Sequence, residues 1–193
     1  MRIGIDLDNT LADYRRPLER LCHLHGVVAV QADPKLALRD ELRARGEEHE
    51  WTRLQGELYG PLMREAELFA GAAETIRHWK TAGCEVCVVS HRTKHPFVGE
   101  KHDLHAFARQ WIGEQPLDVA YLFFEETKEA KLARITSLRC DVFIDDLPEI
   151  LLHPRFPGGA RKILFDPGLS HSARPDLPSA RSWAEVAALA TLS

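Results

Sequence analysis

The stretch Ile3-Gly4-Ile5-Asp6-Leu7-Asp8-Asn9-Thr10-Leu11 decides how the rest of the chain is read. A short apolar run stops there at two carboxylates spaced one residue apart, followed by a threonine. Successive side chains of a β-strand point to opposite faces, so Ile3 and Ile5 are expected to pack one face while Asp6 and Asp8, at i and i+2, share a direction. Two carboxylates about 4 Å apart at an effective dielectric of about 20 repel by on the order of 4 kcal/mol. A cation or a shared proton must offset that repulsion, and a divalent metal is the natural candidate. The plainer alternative is a turn after an edge strand, with Asp8 and Asn9 present for their side-chain-to-backbone hydrogen bonds.

The same grammar returns far downstream in Val142-Phe143-Ile144-Asp145-Asp146, where another strand-like apolar run ends in carboxylates. Two buried strands that both end in acids point to a parallel sheet whose carboxyl ends converge on one crevice, the usual ligand position in open α/β sheets. Between them, Val88-Val89-Ser90 ends a β-branched run, and Lys128 and Lys131 lie in the first turns of an expected helix.

Taken in order, Asp6-Leu7-Asp8-Asn9-Thr10, Val88-Val89-Ser90, a helical lysine and Ile144-Asp145-Asp146 resemble the four motifs of the haloacid dehalogenase superfamily. The resemblance covers residues 1 to 13 and about 71 to 166, and is to phosphatase members with a helical cap inserted after the first motif, of the 5'-nucleotidase and deoxyribonucleotidase type. It implies a Mg²⁺-dependent phosphomonoesterase in which Asp6 is the nucleophile and Asp8 the general acid and base. It places Mg²⁺ on Asp6, the Asp8 carbonyl, Asp145 and Asp146. Phosphate binding falls to Ser90 and to Lys131 or Lys128, supported by Asn9 and Thr10 of the first motif. Lys131 is preferred, because Leu132, Ile135 and Leu138 follow it in the family's register. Either lysine is otherwise a solvated helix charge beside Glu125 or Glu129.

The chain's 193 residues, 45% of them hydrophobic, are enough to bury a substantial core, roughly 70% of the unfolded surface. That suits one domain with a modest insertion. A net charge of -4 gives no bulk attraction to a nucleic acid polymer or an anionic membrane. No apolar run approaches the length of a membrane span, and the sequence opens directly on a strand with no signal-peptide pattern. The expectation is a cytoplasmic protein whose partner is a small molecule; the resemblance makes it a phosphorylated metabolite. Of the four cysteines, only Cys84 and Cys87 have a metal-like or redox-like spacing, and on a strand they would face opposite sides.

After Leu11 the pattern turns helical. Apolar residues at 18, 21, 22 and 24 precede Gly26; Asp33-Pro34 reads as an N-cap and a first-turn proline; and a third stretch over about 48 to 69 carries Gly60-Pro61, which should kink or split it. This predicts an α/β doubly wound parallel sheet of about five strands, formed by residues 1–14 and 70–193, with an all-helical insertion at 15–69. In the family, an insertion after the first motif is a substrate-selecting cap. A dimerisation arm, and with it a homodimer, is the alternative.

Beyond Ser90, His91 and the cations Arg92 and Lys94 are candidates for the non-reacting part of the substrate. His91, His95, His102 and His105 crowd this region, and a shared helix face for His102 and His105 would allow a second metal site. A helix over about 103 to 112 is expected to pack back on the sheet. Thr127 and Ser182 read as N-caps.

Three rival classes compete. A carbon–halogen hydrolase uses Asp6 but has no need of Asp8. A response-regulator receiver domain carries its paired acids on the first strand and its phosphoacceptor later, the reverse of this order. A phosphotransferase, a mutase or a phosphate-ligand-binding protein would keep the same residues. A nucleoside monophosphate and a sugar phosphate both suit a small helical cap.

Overall fold

The computed structural model describes residues 1–28, 34–171 and 175–191. In chain order the elements are β1 (Arg2–Ile5), β2 (Ala12–Asp13), α1 (Arg15–Leu24), α2 (Pro34–Ala44), α3 (Glu48–Tyr59), a 3-10 helix (Pro61–Glu65), β3 (Glu67–Leu68), α4 (Ala72–Thr81) and β4 (Glu85–His91). They continue with α5 (Leu104–Glu114), β5 (Tyr121–Glu125), α6 (Lys128–Leu138), β6 (Val142–Asp145), α7 (Pro148–Leu151), β7 (Arg161–Phe165), β8 (Ser179–Ala180) and α8 (Trp183–Thr191). The expected N-cap Asp33 lies outside the described residues.

Two compact units result: Met1–Ala12, Leu68–Arg92 and Pro116–Ser193 form the first, and Asp13–Glu67 with Thr93–Gln115 the second. The first unit holds a sheet of order β5-β4-β1-β6-β7-β8, parallel throughout. This is one strand more than expected, because Ser179–Ala180 in the proline-rich segment pairs with Leu164 and Phe165. Starting at β1, the chain runs outward through β4 and β5, then returns to β1's other side with β6. The topological switch point therefore falls between β1 and β6.

Period-two burial sorts the sheet's two faces. On one face Cys87, Val89 and Phe143 pack with Leu132 and Ile135 of α6 and with Ile150 and Leu151 of α7. On the other, Trp183 of α8 meets Phe165 and Trp79. Gly4 is required by this packing: a Cβ there would stand 2.5 Å from Phe143 Cδ2 and 2.9 Å from Cys140 Sγ. Gly4→Ala is expected to destabilise by about 1–3 kcal/mol through overpacking. Urea denaturation measures this, and an unchanged midpoint would show that the ring can yield.

The second unit is helical. Leu38, Leu42, Trp51, Leu54, Leu58 and Met63 are buried in it, and Tyr14 meets Tyr59 edge to face at 5.3 Å. As expected from Gly60-Pro61, α3 stops at Tyr59 and a 3-10 turn follows. Leu24, expected on the apolar face of α1, is instead exposed. The helix at 104–114 also departs from expectation. Expected on the sheet, it packs within the helical unit on α3 and the 3-10 helix, with Trp111 Nε1 donating to the Ala66 carbonyl at 2.9 Å. Its apolar stripe fits either surface, so periodicity alone did not choose between them. The compact helical unit consequently includes residues 93–115 beyond the expected 15–69 insertion.

His102 precedes α5 while His105 lies on it, so the two share no helix face. His102 Nε2 lies 3.6 Å from Glu57 Oε1 instead. All four cysteines are free thiols. No helix of the described residues is long and apolar enough to cross a membrane.

Candidate active site

The first motif is built where β1 ends. Asp6 lies one residue past the strand, and its amide donates to the Ile144 carbonyl at 2.9 Å, extending the ladder toward β6. The chain then turns: the amides of Leu11 and Ala12 both donate to Leu7 O at 2.9 Å, and that of Asn9 to Ala12 O at 2.9 Å. Asn9 adopts φ +60°, a left-handed conformation that asparagine tolerates better than most residues. Asp8 thus belongs to a turn and not to a continuing strand. The expected common direction of Asp6 and Asp8 cannot come from strand alternation; the turn sets where each lies. Thr10 is fully buried, and its carbonyl accepts from Trp183 Nε1 at 3.2 Å. Its Oγ1 has no hydrogen-bond partner among the described residues.

Asp145 closes β6 on the other side of the switch point. Carboxylate oxygens of Asp6, Asp145 and Asp146 come within 4.8 Å of one another. Lys131, in the first turns of α6, donates through Nζ to Asp6 Oδ1 at 2.6 Å and to Asp145 Oδ2 at 2.7 Å. Thr127 caps this helix, its Oγ1 accepting from the Ala130 amide at 3.1 Å, which fixes the register that aims Lys131 inward. Lys128 turns outward to Glu149 Oε1 at 2.7 Å. One helical turn separates the two lysines' roles.

The electrostatics leave this cluster short of positive charge. Burial pushes the Asp6 carboxyl up to about 7 against the pull of the Lys131 ammonium. Burial opposes the charge of Lys131 as well, yet Asp145 and Asp6 together hold it above its ordinary value. The Lys131 ammonium touches Asp6 and Asp145, and Asp146 brings a third acid to the same place. The donors are all oxygen and two of the three acids are buried, a set that fits Mg²⁺ better than a soft metal.

A second set of contacts centres on Asp8. Ser90, near the end of β4, donates to Asp8 Oδ2 at 3.4 Å. Arg92 Nη2 donates to Asp8 Oδ1. Arg92, read from sequence as a substrate-side cation, is instead buried against this acid. The signal available in sequence was its parity with Ser90: at i and i+2, the two leave the strand end in one direction. His91, of opposite parity, lies 3.3 Å from the Glu126 carbonyl, and burial holds its imidazole below the ordinary value. Lys94 is exposed and belongs to the helical unit.

Asp166, past the end of β7, is a buried acid that the sequence did not single out. Its oxygens accept from the amides of Ser170 at 2.8 Å and His171 at 3.0 Å, so its role is to close a loop.

A six-stranded parallel sheet with acids at its switch point defines an α/β protein of the ligand-at-the-crevice class. No protein-family model matches the chain, and no curated protein is significantly similar to it in sequence. Solved structures are similar in fold. A dehalogenase aligns at 15% identity over 97% of this chain and 96% of its own, with a TM-score of 0.60. The putative HAD hydrolase YfnB from Bacillus subtilis, bound to magnesium, aligns at 14% over 99% and 98%, with a TM-score of 0.59. A predicted phosphoglycolate phosphatase from Haemophilus somnus aligns at 15% over 98% and 97%, with a TM-score of 0.58. The chain has the fold of the haloacid dehalogenase superfamily.

Proposed function

We propose that this protein is a phosphomonoesterase that hydrolyses a small organic phosphate through an aspartyl-phosphate. The observation that carries the reading is the convergence, at the ends of β1, β4 and β6, of a Lys131-bridged pair of acids with a third acid, Asp8, held by Ser90 and Arg92. Phosphoryl transfer asks the protein mainly for positioning and for charge against the equatorial oxygens, and these residue types supply both. Asp6, Asp145 and Asp146 are the residues that would hold Mg²⁺. When bound, the ion supplies positive charge that neutralises the phosphoryl oxygens and Asp6 together.

The steps then follow from the chain's own groups. An Asp6 carboxylate oxygen attacks phosphorus, the phosphorus–ester oxygen bond breaks, and the leaving oxygen takes the proton of the Asp8 carboxyl. Asp8, now a carboxylate, accepts a proton from water as the water oxygen attacks phosphorus. The bond from phosphorus to Asp6 breaks, and inorganic phosphate and the starting carboxyl states are restored. Ser90 and Lys131 supply donors to the phosphoryl oxygens.

A carbon–halogen hydrolase has no need of a second acid at position 8, where this site holds Asp8 against Ser90 and Arg92. The substrate class is a nucleoside or sugar monophosphate, consistent with an inserted helical unit whose assigned role is selection. The test is hydrolysis of p-nitrophenyl phosphate and a panel of such monophosphates, with Mg²⁺ and with EDTA. Phosphate release that EDTA abolishes is the expected result. Halide release from 2-haloacids with no phosphate release would replace this reading.

A further inference from the structure

We propose that Arg92 is a positioning residue for Asp8, an inference that rests on the phosphomonoesterase reading above. Three observations carry it. The Arg92 side chain is only 2% exposed, and its guanidinium is directed at Asp8 Oδ1. Its backbone amide donates to the Glu125 carbonyl at 2.9 Å, continuing the β4–β5 ladder and fixing where the side chain starts. Ser90, two residues earlier, donates to the other Asp8 oxygen at 3.4 Å. Both oxygens of one carboxyl are therefore addressed by same-parity residues at a single strand end.

The consequence is geometric. With Oδ1 held by a planar guanidinium and Oδ2 beside the Ser90 hydroxyl that the reading assigns to the phosphate, the carboxyl is fixed where it would exchange a proton with the leaving oxygen. Proton transfer demands hydrogen-bond reach between the acid and the leaving oxygen. A guanidinium that fixes Asp8 thus affects the step in which that proton moves and leaves phosphate binding alone. A substrate-binding arginine would do the opposite.

The experiment compares wild type, Arg92→Lys and Arg92→Ala on p-nitrophenyl phosphate, whose phenolate departs without a proton, and on glycerol 1-phosphate, whose alkoxide needs one. Inorganic phosphate binding is measured by calorimetry in parallel. The expected result is a loss of about 100-fold or more in kcat on the alkyl ester, with a much smaller loss on the aryl ester. KM and phosphate affinity stay unchanged, Arg92→Lys recovers part of the loss, and added guanidinium ion recovers part in Arg92→Ala. If Arg92→Ala does not fold, the Lys variant, which keeps the charge and loses the fork, carries the same comparison.

Equal losses on both esters would reduce Arg92 to a structural role and overturn the proposal. A raised KM with weakened phosphate binding would overturn it in favour of substrate binding. Failure of the wild type to hydrolyse either ester would overturn the underlying reading, and the proposal with it.

Discussion

Asp6→Asn is expected to lower phosphate release by about 10⁴-fold or more, the scale seen when a group that acts as a unit with its partners is removed. The amide oxygen can still accept from Lys131 Nζ, now 2.6 Å from Asp6 Oδ1, so the contact survives while the nucleophile is lost. The substitution should not unfold the protein. Burial pushes the Asp6 carboxyl up to about 7, which means the folded state resists its charge. Removing that charge leaves Lys131 paired with Asp145 and eases the crowding of Asp6, Asp145 and Asp146 at one place. In EDTA the variant is expected to melt no lower than wild type, and the stabilisation that Mg²⁺ adds should shrink with one ligand charge gone. Calorimetric melting with and without Mg²⁺, beside the turnover assay, checks both halves. Retention of most of the wild-type rate would rule out an aspartyl-phosphate.

Much of this arrangement was legible in sequence because it rests on local rules. The strands that end at Asp6 and Asp145 are apolar runs that stop at charge, and a parallel sheet buried on both faces requires such runs. Lys131 is preferred over Lys128 only through the resemblance, since both lie on the helix face of Leu132 and Ile135; the contacts to Asp6 and Asp145 separate them. What was not legible depends on tertiary choice. The stripe of α5 does not say which surface it covers, and it covers helices. The two-residue strand β8 carries no period of its own and forms because Leu164 and Phe165 present an open edge. Asp8 looked like a strand residue until the turn through Asn9 was visible. Arg92 reads in sequence as a candidate for the non-reacting part of the substrate, because sequence shows its charge but not the acid that faces it.

Lys131→Met tests the electrostatic core of the site. The ammonium touches Asp6 and Asp145 at 2.6 and 2.7 Å, and all three side chains are buried. Deleting one partner of a buried ionic cluster typically costs about 3–5 kcal/mol, because the charges left behind are uncompensated. The expected result in EDTA is a loss of that size at pH 8. The loss should diminish in acid for a definite reason. A buried carboxyl whose folded pKa is raised binds its proton more tightly folded than unfolded, so it weakens folding as pH rises from its unfolded value toward its folded one. In wild type that window for Asp6 runs from 3.8 to about 7. Without the ammonium the folded value rises further, and the window extends upward. Wild type and variant should therefore differ least in acid and increasingly as pH passes neutrality. On the function proposed above, Mg²⁺ and Lys131 would be counterions to the same carboxylates and Lys131 a phosphate donor, so the ion should stabilise the variant more than wild type while its turnover is lost. Urea denaturation at pH 5 and pH 8, each with Mg²⁺ and with EDTA, reads all of these differences. A variant as stable as wild type at pH 8 in EDTA would show that the two acids do not depend on the lysine, and the site would have to be charged in some other way.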